Sequence, residues 1–94
     1  MITDKEKKNM QQFYKAVLTL KDEEEARKFF DDVATIKEVL DLSSRLEVAR
    51  MLKAGAVFSE ISKETGASSA TISRVNKCLN YGEGGYDAVL DRIK

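Results

Sequence analysis

Ten residues, Gly66-Ala67-Ser68-Ser69-Ala70-Thr71-Ile72-Ser73-Arg74-Val75, restrict the fold of this chain more than any other stretch. They read as the turn and second helix of a helix-turn-helix. A left-handed backbone is cheap only for glycine, so Gly66 marks the turn. Ser68 stands where its hydroxyl can accept a bond from an orphan N–H two or three residues on, which is how a helix is capped. Ile72, Val75 and Leu79 then recur at steps of three and four, so one face of that helix is core. Ser69, Ala70, Ser73, Arg74 and Lys77 stand on the other face. That face is small, polar and basic, and no acid occurs from Thr65 to Gly82.

The remaining chain is consistent with an all-α architecture. Proline is absent, and glycine occurs only at 55, 66, 82, 84 and 85, where turns are needed. No alternating run is long enough for a strand. Thr3 and Glu6 form a T-x-x-E capping box for a first helix from about Asp4 to Leu20. Its apolar stripe is Met10, Phe13, Tyr14, Val17 and Leu18. Asp22 caps a second helix, about Glu23 to Ala34, with Ala26, Phe29, Phe30 and Val33 facing inward. The acidic run from Asp22 to Glu25 sits in its first turn, where the helix dipole favours negative charge. Thr35 and Glu38 repeat the capping box for the third helix, Ile36 to Ala54, whose stripe is Ile36, Val39, Leu40, Leu46, Ala49 and Leu52. Ser43-Ser44 interrupts that stripe, and a kink or break is expected there. Gly55 ends the helix as a C′ glycine does. A short fourth helix follows, Phe58 to Thr65, with Ile61 inward, Phe58 in or beside the core, and Val57 as a poor cap. The fifth runs from Ser69 to about Asn80. Tyr86, Val89, Leu90 and Ile93 mark a sixth.

Composition closes off several functions. There is no histidine and a single cysteine, Cys78. Zinc sites and histidine-based catalysis need residues that the chain lacks. No nucleophile–base pair is present, so an enzyme is not expected, and no cofactor is implied. No apolar run reaches the length of a spanning helix. The N-terminus is charged and has no hydrophobic signal core, so a cytoplasmic protein is expected. Basic and acidic residues number 16 each, so bulk charge does not drive association with nucleic acid. The local balance differs. From Ser43 to Asn80 the basic residues are Arg45, Arg50, Lys53, Lys63, Arg74 and Lys77, against Glu47, Glu60 and Glu64. A mild local excess fits a protein that reads sequence with few phosphate contacts.

At these residues the chain resembles a known family. Leu40 to Leu79 is similar to the Trp repressor superfamily, and within it to the YerC/YecD-type relatives. Arg45-Leu46-Glu47-Val48-Ala49, Gly66 to Arg74 and Cys78-Leu79-Asn80-Tyr81-Gly82 carry the match. Phe29-Phe30-Asp31-Asp32 and Thr35 extend it upstream. The resemblance implies a six-helix protomer and an intertwined homodimer that binds an operator through two symmetry-related motifs. It also implies a candidate effector pocket at Thr35, Arg45 and Arg74, by register with the threonine and two arginines that hold tryptophan in the Trp repressor. This chain departs from that pattern. Val75 replaces a glycine, Cys78 replaces a serine, and Asp32 and Ala34 stand where leucines line the pocket. A branched side chain at 75 crowds an indole, so tryptophan is not the expected effector.

These readings converge on one all-α domain, residues 1–94, with the helix-turn-helix at about 58–80. A dimeric, sequence-specific DNA-binding transcriptional regulator is the expected function. Ser69, Ala70, Thr71, Ser73 and Arg74 should read or approach the groove, with Ser59, Lys63 and Lys77 on phosphate. The alternative is a helical protein-interaction module that kept the fold without DNA binding, for which near-neutral charge and Val57 at the cap position speak.

Overall fold

The computed structural model describes residues 1–93, which form six helices and no strand. They divide into a unit of Met1–Ile36 and a second unit that begins at Lys37.

The first unit is a pair of amphipathic helices, α1 (Asp4–Val17) and α2 (Glu23–Val33). The capping box at α1 is complete. The Thr3 hydroxyl accepts the Glu6 N–H at 3.1 Å, and the Glu6 carboxylate accepts the Thr3 N–H at 2.9 Å. These bonds hold the Glu6 carboxyl below the usual carboxylate range, the Thr3 backbone bond being the larger cause. α1 ends earlier than its periodicity predicts, at Val17 rather than Leu20. Thr19 explains the stop. Its hydroxyl donates to Ala16 O at 2.6 Å, and the Thr19 and Leu20 N–H groups bond three residues back, to Ala16 and Val17. A side chain that satisfies a late carbonyl competes with a further α-turn. At α2, Asp22 accepts the Glu25 N–H at 2.8 Å. Phe13 stacks on Phe29 with ring centroids 5.9 Å apart, and Phe30 meets both rings edge-on. Yet neither helix contains a buried residue. Val33, expected to face inward, is exposed, as is Tyr14.

The third helix, α3 (Ile36–Lys53), opens at the boundary. It runs unbroken through Ser43-Ser44, contrary to the expected interruption. The Ser43 hydroxyl donates to Val39 O at 2.7 Å, so it bonds within the helix instead of competing with it. Gly55, at φ 90°, stops the helix in a Schellman motif, with Gly55 N–H on Leu52 O and Ala56 N–H on Met51 O, both 3.0 Å. Then come α4 (Phe58–Thr65), α5 (Ser69–Tyr81) and α6 (Gly85–Arg92).

One small core unites these four helices. Val48, Ala49, Ile61 and Ile72 are fully buried, with Val75 and Leu90 beside them. Tyr86, Leu46, Leu52 and Met51 pack around that centre. Val48 is an addition to the stripe expected for α3, whereas Ile36 and Leu40 from that stripe stand 70% and 61% exposed. Phe58 also departs from expectation. It keeps 40% of its surface exposed at the first position of α4.

Candidate nucleic-acid interface

The turn between α4 and α5 is held by side-chain bonds as well as by its glycine. Gly66 takes a left-handed conformation, φ 73°, and its N–H bonds Ser62 O. Ser62 Oγ donates to Ala67 O at 3.1 Å. Thr65 Oγ1 donates to Ile61 O at 2.7 Å and accepts the Ala67 N–H at 3.1 Å. Thr65 therefore ties the end of α4 to the turn, a role that its type and spacing did not single out. Ser68 caps α5 as expected, accepting the Thr71 N–H at 3.2 Å. The same hydroxyl donates to Thr71 Oγ1 at 3.1 Å. Thr71 is only half-exposed, and its hydroxyl belongs first to the cap.

Ile72 and Val75 fix the rotation of α5, because both are seated in the core. The rest of the helix surface is then determined. Ser69, Ala70, Ser73, Arg74 and Lys77 are all exposed, as are Ser59 and Lys63 on α4. Arg74, Lys77 and Lys63 form no ion pair among the described residues. Two other cations of the local basic excess are committed elsewhere. Arg50 grips Glu47 through Nε and Nη2, each at 2.7 Å, which draws the Glu47 carboxyl below its usual range. Lys53 Nζ lies 2.9 Å from Asp91 and 3.1 Å from Asp87 on α6. Of the basic residues from Ser43 to Asn80, Lys63, Arg74 and Lys77 on the helix-turn-helix and Arg45 on α3 form no ion pair among the described residues. A small, hydroxyl-bearing helix face flanked by free cations can approach base edges and phosphates closely.

Arg45 and Arg74 come together on a cavity of about 180 Å³, lined also by Thr71, Val75, Cys78 and Tyr86. Thr35 belongs to the first unit, just before α3, where it is exposed and already engaged in an interaction. Among the described residues no group of His, Cys, Asp and Glu side chains could hold a metal ion. No described helix is long and apolar enough to cross a membrane.

Comparison with known proteins extends these observations. The family model described as Trp repressor protein matches residues 8–94. The uncharacterized protein YerC of Bacillus subtilis (strain 168) is 54% identical over 87 residues, covering 93% of this chain and 84% of that protein. Among solved structures, a TrpR-like protein from Eubacterium eligens ATCC 27750 is 52% identical, with a TM-score of 0.88 over 92% of this chain and 89% of that one. A further structure, from Staphylococcus aureus, is 45% identical with a TM-score of 0.87, covering 90% of this chain and 85% of that one.

Proposed function

The chain belongs to the Trp repressor family, and from that premise we propose that it is a sequence-specific DNA-binding transcriptional regulator, a repressor acting as a homodimer. The observation that carries the reading is the exposed face of α5. Core contacts at Ile72 and Val75 aim Ser69, Ala70, Ser73 and Arg74 outward, with Lys77 and Lys63 unpaired beside them. α5 enters the major groove, and its N-terminal residues meet base edges. Ser59, Lys63 and Lys77 hold the phosphate backbone. Thr71 serves the approach by fixing the start of α5 rather than by reading a base. The family is a regulatory DNA-binding fold rather than an enzyme family, and a cytoplasmic location accords with the work proposed.

The homodimer is supported by apolar surface that one chain leaves uncovered. α1 and α2 are amphipathic but bury no residue, and Ile36, Leu40 and Leu42 stand exposed along α3. Surface of this kind marks a protein–protein interface.

Tryptophan does not control this protein in the proposed account. Val75 and Cys78 line the cavity between Arg45 and Arg74, and Val75 is held in place by the core. Calorimetry with millimolar tryptophan should give no binding heat, and a saturable heat would overturn this part.

Substitutions test the DNA reading. On a duplex selected for binding, Arg74→Ala should weaken binding by about 1–3 kcal/mol and relax preference at one base position. Lys77→Ala should weaken all duplexes alike and flatten the salt dependence. Equal binding of selected and scrambled duplexes by the unaltered protein would refute sequence reading.

A further inference from the structure

The turn that joins α4 to α5 leaves none of its peptide planes loose. A planar peptide gives each residue only two soft dihedrals, so bonds to the peptides on both sides of a residue restrain both. The Gly66 N–H bonds Ser62 O at 2.9 Å, which holds the peptide between residues 65 and 66 on α4. The Ala67 N–H donates to Thr65 Oγ1 at 3.1 Å, which holds the next peptide. Ser62 Oγ donates to Ala67 O at 3.1 Å, which holds the one after. The following peptide already belongs to α5, because the Ile72 N–H bonds Ser68 O at 3.0 Å. Ala67, half-buried and packed against the core, therefore has both of its dihedrals held by hydroxyls of α4. Thr65 carries the larger share. Its one proton goes to Ile61 O at 2.7 Å and a lone pair takes the Ala67 N–H, both in a half-buried place where water competes less. Ser62 is exposed.

We propose that Thr65, with Ser62 beside it, is a positioning residue that fixes the direction of α5 on α4 and thereby sets how sharply the protein discriminates between DNA sequences. This role rests on the DNA-binding function proposed above, in which Ser59 and Lys63 on α4 hold phosphate while Ser69, Ala70, Ser73 and Arg74 on α5 meet base edges. Both sets engage together only at one angle between the helices. Arg74 lies about 9 Å along the axis from Ser68 at the rise of an α-helix, so a swing of about 15° at the turn moves it by about 2 Å. A displacement of that size breaks a hydrogen bond to a base. Phosphate contacts depend on charge more than on such alignment. Freedom at the turn therefore lowers affinity for a preferred site by the fraction of time α5 points correctly, and it spares binding to other sequences.

The test is the preference for a selected over a scrambled duplex, measured by fluorescence anisotropy in variants whose helix content is unchanged by circular dichroism. Thr65→Val replaces the hydroxyl with a methyl and should lower that preference about fivefold, the worth of one net hydrogen bond. Affinity for the scrambled duplex and its salt dependence should not move. Thr65→Ser keeps the hydroxyl and should keep the preference, while Ser62→Ala should lower it by less than Thr65→Val. An unchanged preference in Thr65→Val would overturn the proposal. Equal weakening of both duplexes would do the same, because it marks a hydroxyl that only supports the fold. If Thr65→Val unfolds, Ser62→Ala decides by the same two criteria. Residual dipolar couplings separate the positioning role from the DNA reading beneath it: α4 and α5 should share one alignment in the unaltered protein and lose it in Thr65→Val. If the unaltered protein binds all duplexes alike, sequence reading falls. Couplings that diverge in the variant then leave Thr65 as the residue that fixes α5 on α4, and couplings that stay the same overturn that too.

Discussion

Gly66 and Ser68 do for the backbone what Ile72 and Val75 do for the core: together they fix where the exposed face of α5 points. Gly66 sits at φ 73° with open space where a Cβ would be, so an added side chain meets backbone strain and no collision. Gly66→Ala should destabilise the fold by roughly 1–2 kcal/mol, and Gly66→Asn by less, because asparagine tolerates the left-handed region. Ser68→Ala removes both bonds to Thr71 and should cost about 1 kcal/mol, which urea unfolding can resolve. Ile61→Ala empties a fully buried site and should cost about 2–5 kcal/mol. These residues are legible in the sequence because turn and cap chemistry act over a few positions. Thr65 was not, since nothing in its type separates a turn-tying hydroxyl from a solvated one. Bulk and apolarity place Phe58 in or beside the core, yet 40% of its surface is exposed at the start of α4.

Caps and ion pairs act at the scale of the element. The Glu6 carboxyl is held below its ordinary value in the folded chain, so its support of α1 is present at neutral pH and is lost as pH falls through the lowered folded value. Glu6→Gln should remove that part of the acid response, read from the Thr3 and Glu6 amide shifts in an NMR titration. Lys53 has the opposite sign. Asp91 first, then Asp87, raise its ammonium above the ordinary lysine value. Its hold on α6 is therefore complete below that ordinary value and is lost as pH climbs through the raised one. Lys53→Met should speed amide exchange across α6 while the amides of α5 stay protected. The helices themselves were legible from periodicity and caps, and α4 matches its expected bounds, Phe58–Thr65. Where the helices differ from their periodicity, local side-chain bonds are the cause. Thr19 ends α1 early, and Ser43 bonds back to Val39 and leaves α3 whole. The Lys53 bridge has no local signal in the sequence, because its partners Asp87 and Asp91 lie far along the chain.

At the scale of the molecule, the buried residues among those described all lie on α3 to α6. Val48, Ala49, Ile61 and Ile72 make a compact centre, while α1 and α2 keep apolar stripes uncovered. A homodimer that covers them should melt at a temperature that rises with protein concentration. Sequence periodicity marked those stripes as buried, but it carries no information on whether the same chain or a second copy covers them. The candidate site divides in the same way. The outward face of α5 was readable, whereas the withdrawal of Arg50 and Lys53 into ion pairs was not. If the outward face of α5 reads DNA sequence as a symmetric pair, selection from a library of random duplexes should enrich a two-fold-related site whose halves are centred about one helical turn, 34–36 Å, apart. Failure to enrich any sequence over competitor DNA at moderate salt would refute that reading.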